Sequence, residues 1–157
     1  VLVSALGAPR FIMKKQLVWI PLAGWHALRA GFVPVDRGKR GAAIKQMLAD
    51  VRAGATGPGQ IIIYPQGTRT APGTYRPYKM GSAALYAQLG QPCIPVATNV
   101  GVFWPRHGIY RKPGVAVIEF LPPIAPGLTA DEFMARLENV IETASNRLMA
   151  EAGFRAG

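Results

Sequence analysis

The chain's 157 residues suffice for one ordinary domain and not comfortably for two. Half of them are hydrophobic, which argues against wholesale disorder, and 18 Lys and Arg stand against 8 Asp and Glu, a net charge of +10. Cys93 is the only cysteine, so an intrachain disulfide and a cysteine-rich zinc site are excluded, and two histidines, His26 and His107, argue against a multi-histidine metal site.

In chain order, residues 1–6 look like the end of a helix, and RFIMKK at 10–15 reads as a short strand. A helix is expected from Pro21 to Ala30, with Pro21 in its first turn, and FVPV at 32–35 reads as a strand ending in Asp36, Arg37 and Gly38. Ile44, Met47, Leu48 and Val51 repeat at i, i+3, i+4 and i+7, which predicts an amphipathic helix over 40–53. IIIY at 61–64 has the continuous apolar run of a buried strand. A helix of small residues, Gly81 to Leu89, closes at Gly90, and CIPVATNV and VAVIEFL (115–121) read as further strands, with Cys93 expected in the core. Thr129 with Glu132 three residues on forms a capping box, and Phe133, Leu137, Val140, Ile141 and Leu148 supply the core face of the last helix. Alternating strands and helices with apolar strands predict an α/β fold: a mixed, largely buried sheet with helices on both faces.

No stretch reaches the roughly 18 uninterrupted apolar residues of a membrane span. The nearest, LVWIPLAGWHAL at 17–28, is broken by Pro21 and Gly24. The opening VLVSALGAPR has no basic segment ahead of its apolar residues and is not read as a signal peptide. Its abrupt apolar start, without Met, leads to the expectation that the chain begins partway through a larger protein.

Charge is unevenly spread. Residues 1–112 hold 15 basic residues and 2 acidic ones, Asp36 and Asp50, for a net of +13, whereas residues 113–157 hold 3 basic and 6 acidic, for a net of −3. The first part therefore suits an anionic partner: nucleic acid, a phosphorylated substrate or an anionic membrane surface.

Four short segments have the chemistry to meet such a partner. In YPQGTRT at 64–70, Gly67 and Thr68 let backbone N–H groups approach an anion, and Arg69 adds a permanently charged fork that meets phosphate bidentately. A surface turn with a solvated arginine is the alternative reading. GFVPVDRG at 31–38 ends another apolar strand on Asp36 and Arg37, Lys14 and Lys15 follow FIM, and in RPYKMGSAAL Lys79 and Gly81 lead into a helix N-terminus.

With these blocks in order, the sequence resembles the glycerolipid acyltransferases of the 1-acylglycerol-3-phosphate (lysophosphatidic acid) acyltransferase type. KKQLVWIPLAGW, GFVPVDRG, YPQGTRT and PYKMGSAALYAQLGQPCIPVA match the family's ordered blocks from about Arg10 to Phe120. The resemblance implies transfer of an acyl group from acyl-CoA or acyl-carrier protein to the free hydroxyl of lysophosphatidic acid, giving phosphatidic acid. It implies no cofactor and no metal. By block, Arg37, Gly67, Thr68 and Arg69 would hold the acceptor's phosphate, with Lys14 or Lys15 assisting, and Pro95 would shape the site.

The chain departs from the family twice. Gln66 stands where the family usually has Glu; it keeps the hydrogen-bonding shape needed to order the loop and loses the charge. The family's first block, His, four residues, then Asp, is not found: Gly31 lies five residues after His26 and Lys112 five after His107. In that dyad His accepts the acceptor hydroxyl's proton and Asp orients the imidazole. By family spacing the pair would precede Val1, so the catalytic residues, together with the family's membrane anchor, are expected upstream. His26 is expected to pack or hydrogen-bond beside Trp25.

The expectation is thus a single acyltransferase domain over residues 1–157, lacking that block and inactive alone, at the cytoplasmic face of the inner membrane. Its partners would be lysophosphatidic acid, the acyl donor and anionic lipid, not nucleic acid. Trp19, Ile20, Leu22, Trp25 and Leu28 are either an apolar surface or acyl groove, or ordinary core. The rival is a non-catalytic basic α/β module for nucleic acid or phosphorylated ligands, although the basic residues are spread over strand ends and no RNP-like, zinc-finger or helix-turn-helix signature occurs.

Overall fold

The computed structural model describes residues 9–14, 18–19, 23–29, 33–35, 49, 60–104 and 110–155. The chain forms two compact units, Val1–Tyr64 and Pro65–Gly157.

In the first unit, β1 (Pro9–Lys14), α1 (Ala23–Arg29) and β2 (Val33–Val35) follow one another, and β3 (Gln60–Ile62) completes a three-stranded sheet of order β2-β1-β3. Both pairings are parallel, with Ile12 opposite Val33 and Phe11 opposite Ile62. A parallel neighbour needs a crossover rather than a hairpin, and α1 lies within the first one. The helix expected over 40–53 falls outside the described residues apart from Ala49, which is helical. The segment 1–6 also falls outside them.

The second unit contains α2 (Gly81–Leu89), β4 (Val96–Thr98), α3 (Val100–Phe103), β5 (Ile118–Phe120) and α4 (Ala130–Glu151). α2 ends as its sequence predicts: Gly90 adopts φ 60° and its N–H returns to the Tyr86 carbonyl. A side chain at that left-handed position would cost roughly 1–2 kcal/mol. α4 starts on the expected capping box, with the Thr129 hydroxyl accepting from Glu132 N–H and the Glu132 carboxylate accepting from Thr129 N–H. These bonds to Thr129 hold the Glu132 carboxyl below its usual range.

The core of this unit lies between α2 and α4. Phe133, Met134 and Leu137 of α4 meet Ala83 and Tyr86 of α2 and Ile124, with Cys93 packed at the margin. Phe133 and Tyr86 stack with ring centroids 3.9 Å apart. The Tyr86 hydroxyl donates to the Ala125 carbonyl and accepts from Leu128 N–H, which fixes the approach to the α4 cap. Ala144 and Leu148 continue the buried face of α4 onto Ala97 of β4. Met134 and Ala144 extend this face beyond the residues expected from periodicity, while Val140 is only half-buried.

The strands here are shorter than their apolar runs. β4 pairs antiparallel with β5, but only from Val96 opposite Phe120 to Thr98 opposite Ile118. Pro95 has no N–H to donate; its carbonyl accepts from Leu121, and Cys93 keeps only an isolated bridge to Ile124. At the other end Asn99, 3% exposed, takes over the ladder with its side chain. Its Oδ1 accepts from Val117 N–H at 2.7 Å, and its Nδ2 donates to the Val115 carbonyl at 3.3 Å and the Leu148 carbonyl at 3.4 Å. The Val115 carbonyl and the Val117 N–H are therefore bonded to an amide side chain, while the Val117 carbonyl accepts from Asn99 N–H at 3.4 Å, and Val100 opens a short helix.

Candidate functional site

Because β1, β2 and β3 run parallel, their carboxyl ends at Lys14, Val35 and Ile62 leave the sheet at one edge. That edge is where α/β folds place ligands, and it is followed in the sequence by Lys15, by Asp36-Arg37 and by the YPQGTRT run. Lys14 closes β1 in register with Val35. Arg37 and Lys15 lie outside the described residues, as does His107.

The third block is a closed loop at the start of the second unit. Lys79 N–H donates to the Pro65 carbonyl at 2.9 Å, joining the two ends of residues 65–79. Within it, the Thr70 hydroxyl donates to Gln66 Oε1 at 3.3 Å, and Thr74 N–H donates to the Ala71 carbonyl at 3.1 Å. An uncharged Gln66 thus serves as an acceptor inside the loop. Gly67 turns the backbone through φ 67°, a conformation that favours glycine, and Thr68 and Arg69 follow. Arg69 is exposed, and Thr68 is half-buried. A left-handed turn with an adjacent hydroxyl and a guanidinium is suited to holding an oxyanion.

Lys79 is more closely tied to this loop than its sequence context indicates. A Cβ built on Gly67 would lie 2.9 Å from Lys79 Nζ and 3.2 Å from its Cδ and Cε. The lysine side chain therefore crosses the bare face of Gly67. Sequence context assigned Lys79 only to a helix entrance, because nothing local relates it to a glycine twelve residues earlier.

Two tyrosines ahead of Lys79 fasten the segment to α4. The Tyr78 hydroxyl donates to Glu142 Oε1 at 2.8 Å, and Tyr75 bonds to Glu138. Burial, then the bond to Glu142, pushes the Tyr78 phenol well above its ordinary value; the bond to Glu138 raises Tyr75. Both phenols therefore stay protonated and donate at neutral pH. Sequence reading missed these contacts, since the partners lie some sixty residues apart and no periodic pattern links them.

In the first unit, Trp19 and Trp25 are 81% and 71% exposed, so neither is core. His26 on α1 is also exposed rather than packed. Among the described residues, no helix is long and apolar enough to cross a membrane.

A family model described as Acyltransferase matches residues 1–99, which include the strand edge and the whole 65–79 loop. The chain belongs to the acyltransferase family. Among similar acyltransferases, the 1-acyl-sn-glycerol-3-phosphate acyltransferase of Pseudomonas aeruginosa is 26% identical over 89% of this chain and 54% of its own length. That of Limnanthes alba is 33% identical over 72% of this chain and 41% of its own. The alpha form of Mus musculus is 30% identical over 82% and 46%. The chain therefore spans about half the length of these curated relatives. The crystal structure of the 1-acyl-sn-glycerophosphate (LPA) acyltransferase from Thermotoga maritima superposes with a TM-score of 0.73 at 20% identity. It covers 92% of this chain and 58% of that one, and shows that the α/β architecture is an acyltransferase fold.

Proposed function

We propose that this chain carries the acceptor-binding part of an enzyme that acylates lysophosphatidic acid to phosphatidic acid in phospholipid synthesis. The observation that carries the reading is the closed loop presenting Arg69 beside the left-handed Gly67. The names of the similar acyltransferases support the acceptor class. The donor is an acyl thioester of coenzyme A or of acyl-carrier protein. The acceptor's hydroxyl oxygen attacks the thioester carbonyl, the new ester forms, the thiolate leaves, and the hydroxyl proton passes to a base. In this reading Gly67, Thr68 and Arg69 hold the phosphate while that exchange proceeds. Arg37, with Lys14 or Lys15, is assigned to the same acceptor by its sequence block.

Arg69→Ala, made in a catalytically competent form, should weaken use of lysophosphatidic acid by about 1.5–3 kcal/mol, the range for a charged hydrogen bond. Arg69→Lys should recover only part of this, because the planar fork is lost. Steady-state kinetics with this acceptor decide the point, and an alanine variant with unchanged kcat/KM would remove Arg69 from the site.

On the same reading the protein acts at the cytoplasmic face of the inner membrane. The +13 charge of residues 1–112 and the exposed Trp19 and Trp25 support contact with anionic lipid. Each Lys or Arg near such a surface contributes about 1 kcal/mol, screened by salt. Co-sedimentation should require anionic vesicles and fade as salt rises. Equal binding to zwitterionic vesicles at high salt would refute the electrostatic part.

A further inference from the structure

We infer that Lys79 joins Arg69 as a phosphate-binding cation of the 65–79 loop, which also carries Arg76, and sets its preference for a phosphate monoester over a phosphodiester headgroup. The inference rests on the reading that this loop holds the acceptor's phosphate. Its geometric basis is the close approach already described: Lys79 Nζ would sit 2.9 Å from a Cβ on residue 67. The ammonium thus lies against the residue that begins the Gly67-Thr68-Arg69 turn.

This placement is built into the backbone. Lys79 N–H is bonded to the Pro65 carbonyl at 2.9 Å, and its own carbonyl accepts from Ser82 N–H at 3.1 Å in the first turn of α2. The preceding Tyr78 is anchored to Glu142 of α4. The lysine stem is therefore launched from a point fixed on both sides, and Gly67 leaves open the face it crosses. No Asp or Glu occurs between Asp50 and Glu119, so this stretch of chain brings no carboxylate of its own to neutralise the ammonium.

Charge matching supplies the specificity. A phosphate monoester carries roughly −1.5 to −2 at pH 7. At the Gly67 turn itself, Arg69 alone leaves much of that charge uncompensated, and Lys79 adds a second positive charge there. A phosphodiester headgroup has a single negative charge and gains less from the second cation. Lysine suits a point-charge role here, while the bidentate contact falls to Arg69.

The test compares affinities of the 157-residue chain for a short-chain lysophosphatidic acid and a lysophosphatidylglycerol of the same acyl length. Both are titrated calorimetrically below their micelle concentrations. Lys79→Met keeps the stem and removes the charge; it should lower monoester affinity about tenfold and phosphodiester affinity less than about twofold. Lys79→Gln should do the same, and Lys79→Arg should restore most of the preference. Gly67→Ala should reproduce the loss by displacing the lysine. If Arg69→Ala weakens monoester binding while both neutral Lys79 variants leave it unchanged, the role of Lys79 is overturned and the loop reading stands. If Arg69→Ala also has no effect, the loop reading falls and this inference with it. Equal losses for both lipids would overturn the selectivity.

Discussion

Given lysophosphatidic acid and an acyl thioester, the 157-residue chain should turn over about 10²–10⁴-fold more slowly than a form that also supplies a His-x-x-x-x-Asp block, the range attributable to general-base catalysis. The expectation follows from the two histidines. His26 is followed at the required spacing by Gly31 and His107 by Lys112, so neither forms the pair. His26 is moreover exposed on α1. Without a base beside it, the acceptor hydroxyl remains protonated and attacks the thioester poorly. Binding through the 65–79 loop should persist, because its closure depends on Pro65, Gln66, Thr70 and Lys79. Thiol release from the thioester is the measurement. Comparable turnover by both forms, abolished by His26→Ala or His107→Ala, would place the base on this chain and overturn the proposal.

Phe133→Ala should cost about 3–5 kcal/mol of stability, the range for truncating a buried aromatic. The ring is 1% exposed, stacks on Tyr86 and touches the cluster that joins α2 to α4. Truncation removes both the buried area and the stacked pair and leaves a cavity in a close-packed site. Tyr86 would lose its platform, and through its hydroxyl the 125–128 segment and the α4 cap would loosen. Against the 5–15 kcal/mol typical of a domain, such a loss should lower Tm by roughly 6–20 °C. Phe133→Leu, which fills part of the space, should cost about 1–2 kcal/mol. Thermal melting read by circular dichroism checks both values. A Phe133→Ala loss below about 1 kcal/mol would mean that this helix pair does not form the core described.

Damage to this core should also reach the loop. α4 carries Glu138 and Glu142, which hold Tyr75 and Tyr78 and so steady the segment that launches Lys79. Loosening α4 would weaken those anchors of the segment. A core substitution can therefore reduce ligand affinity without touching a ligand-binding residue.

Features decided within a few residues were legible in the sequence by itself. The Thr129–Glu132 box and the Gly90 stop both satisfy helix-end groups with bonds spanning three or four positions, so local chemistry suffices to place them. The order of the four acyltransferase blocks was read from their resemblance to the family, whereas the α/β class was readable for the same local reason, since apolar runs, turn residues and basic strand ends are properties of short windows. Gly67 and Arg69 could be named as loop chemistry on that basis.

Only the tertiary structure decided which groups meet. Apolar periodicity extended the strands over 93–100 and 115–121, but Pro95 lacks a donor and the Asn99 side-chain amide takes the Val115 carbonyl and the Val117 N–H. Periodicity measures burial, whereas ladder length depends on which hydrogen-bonding group arrives opposite each residue. The same limit hid the tyrosine–glutamate anchors and the lysine lying on Gly67. Those contacts join residues 12 to 64 positions apart, and no pattern of side-chain polarity encodes a distance that only chain packing sets.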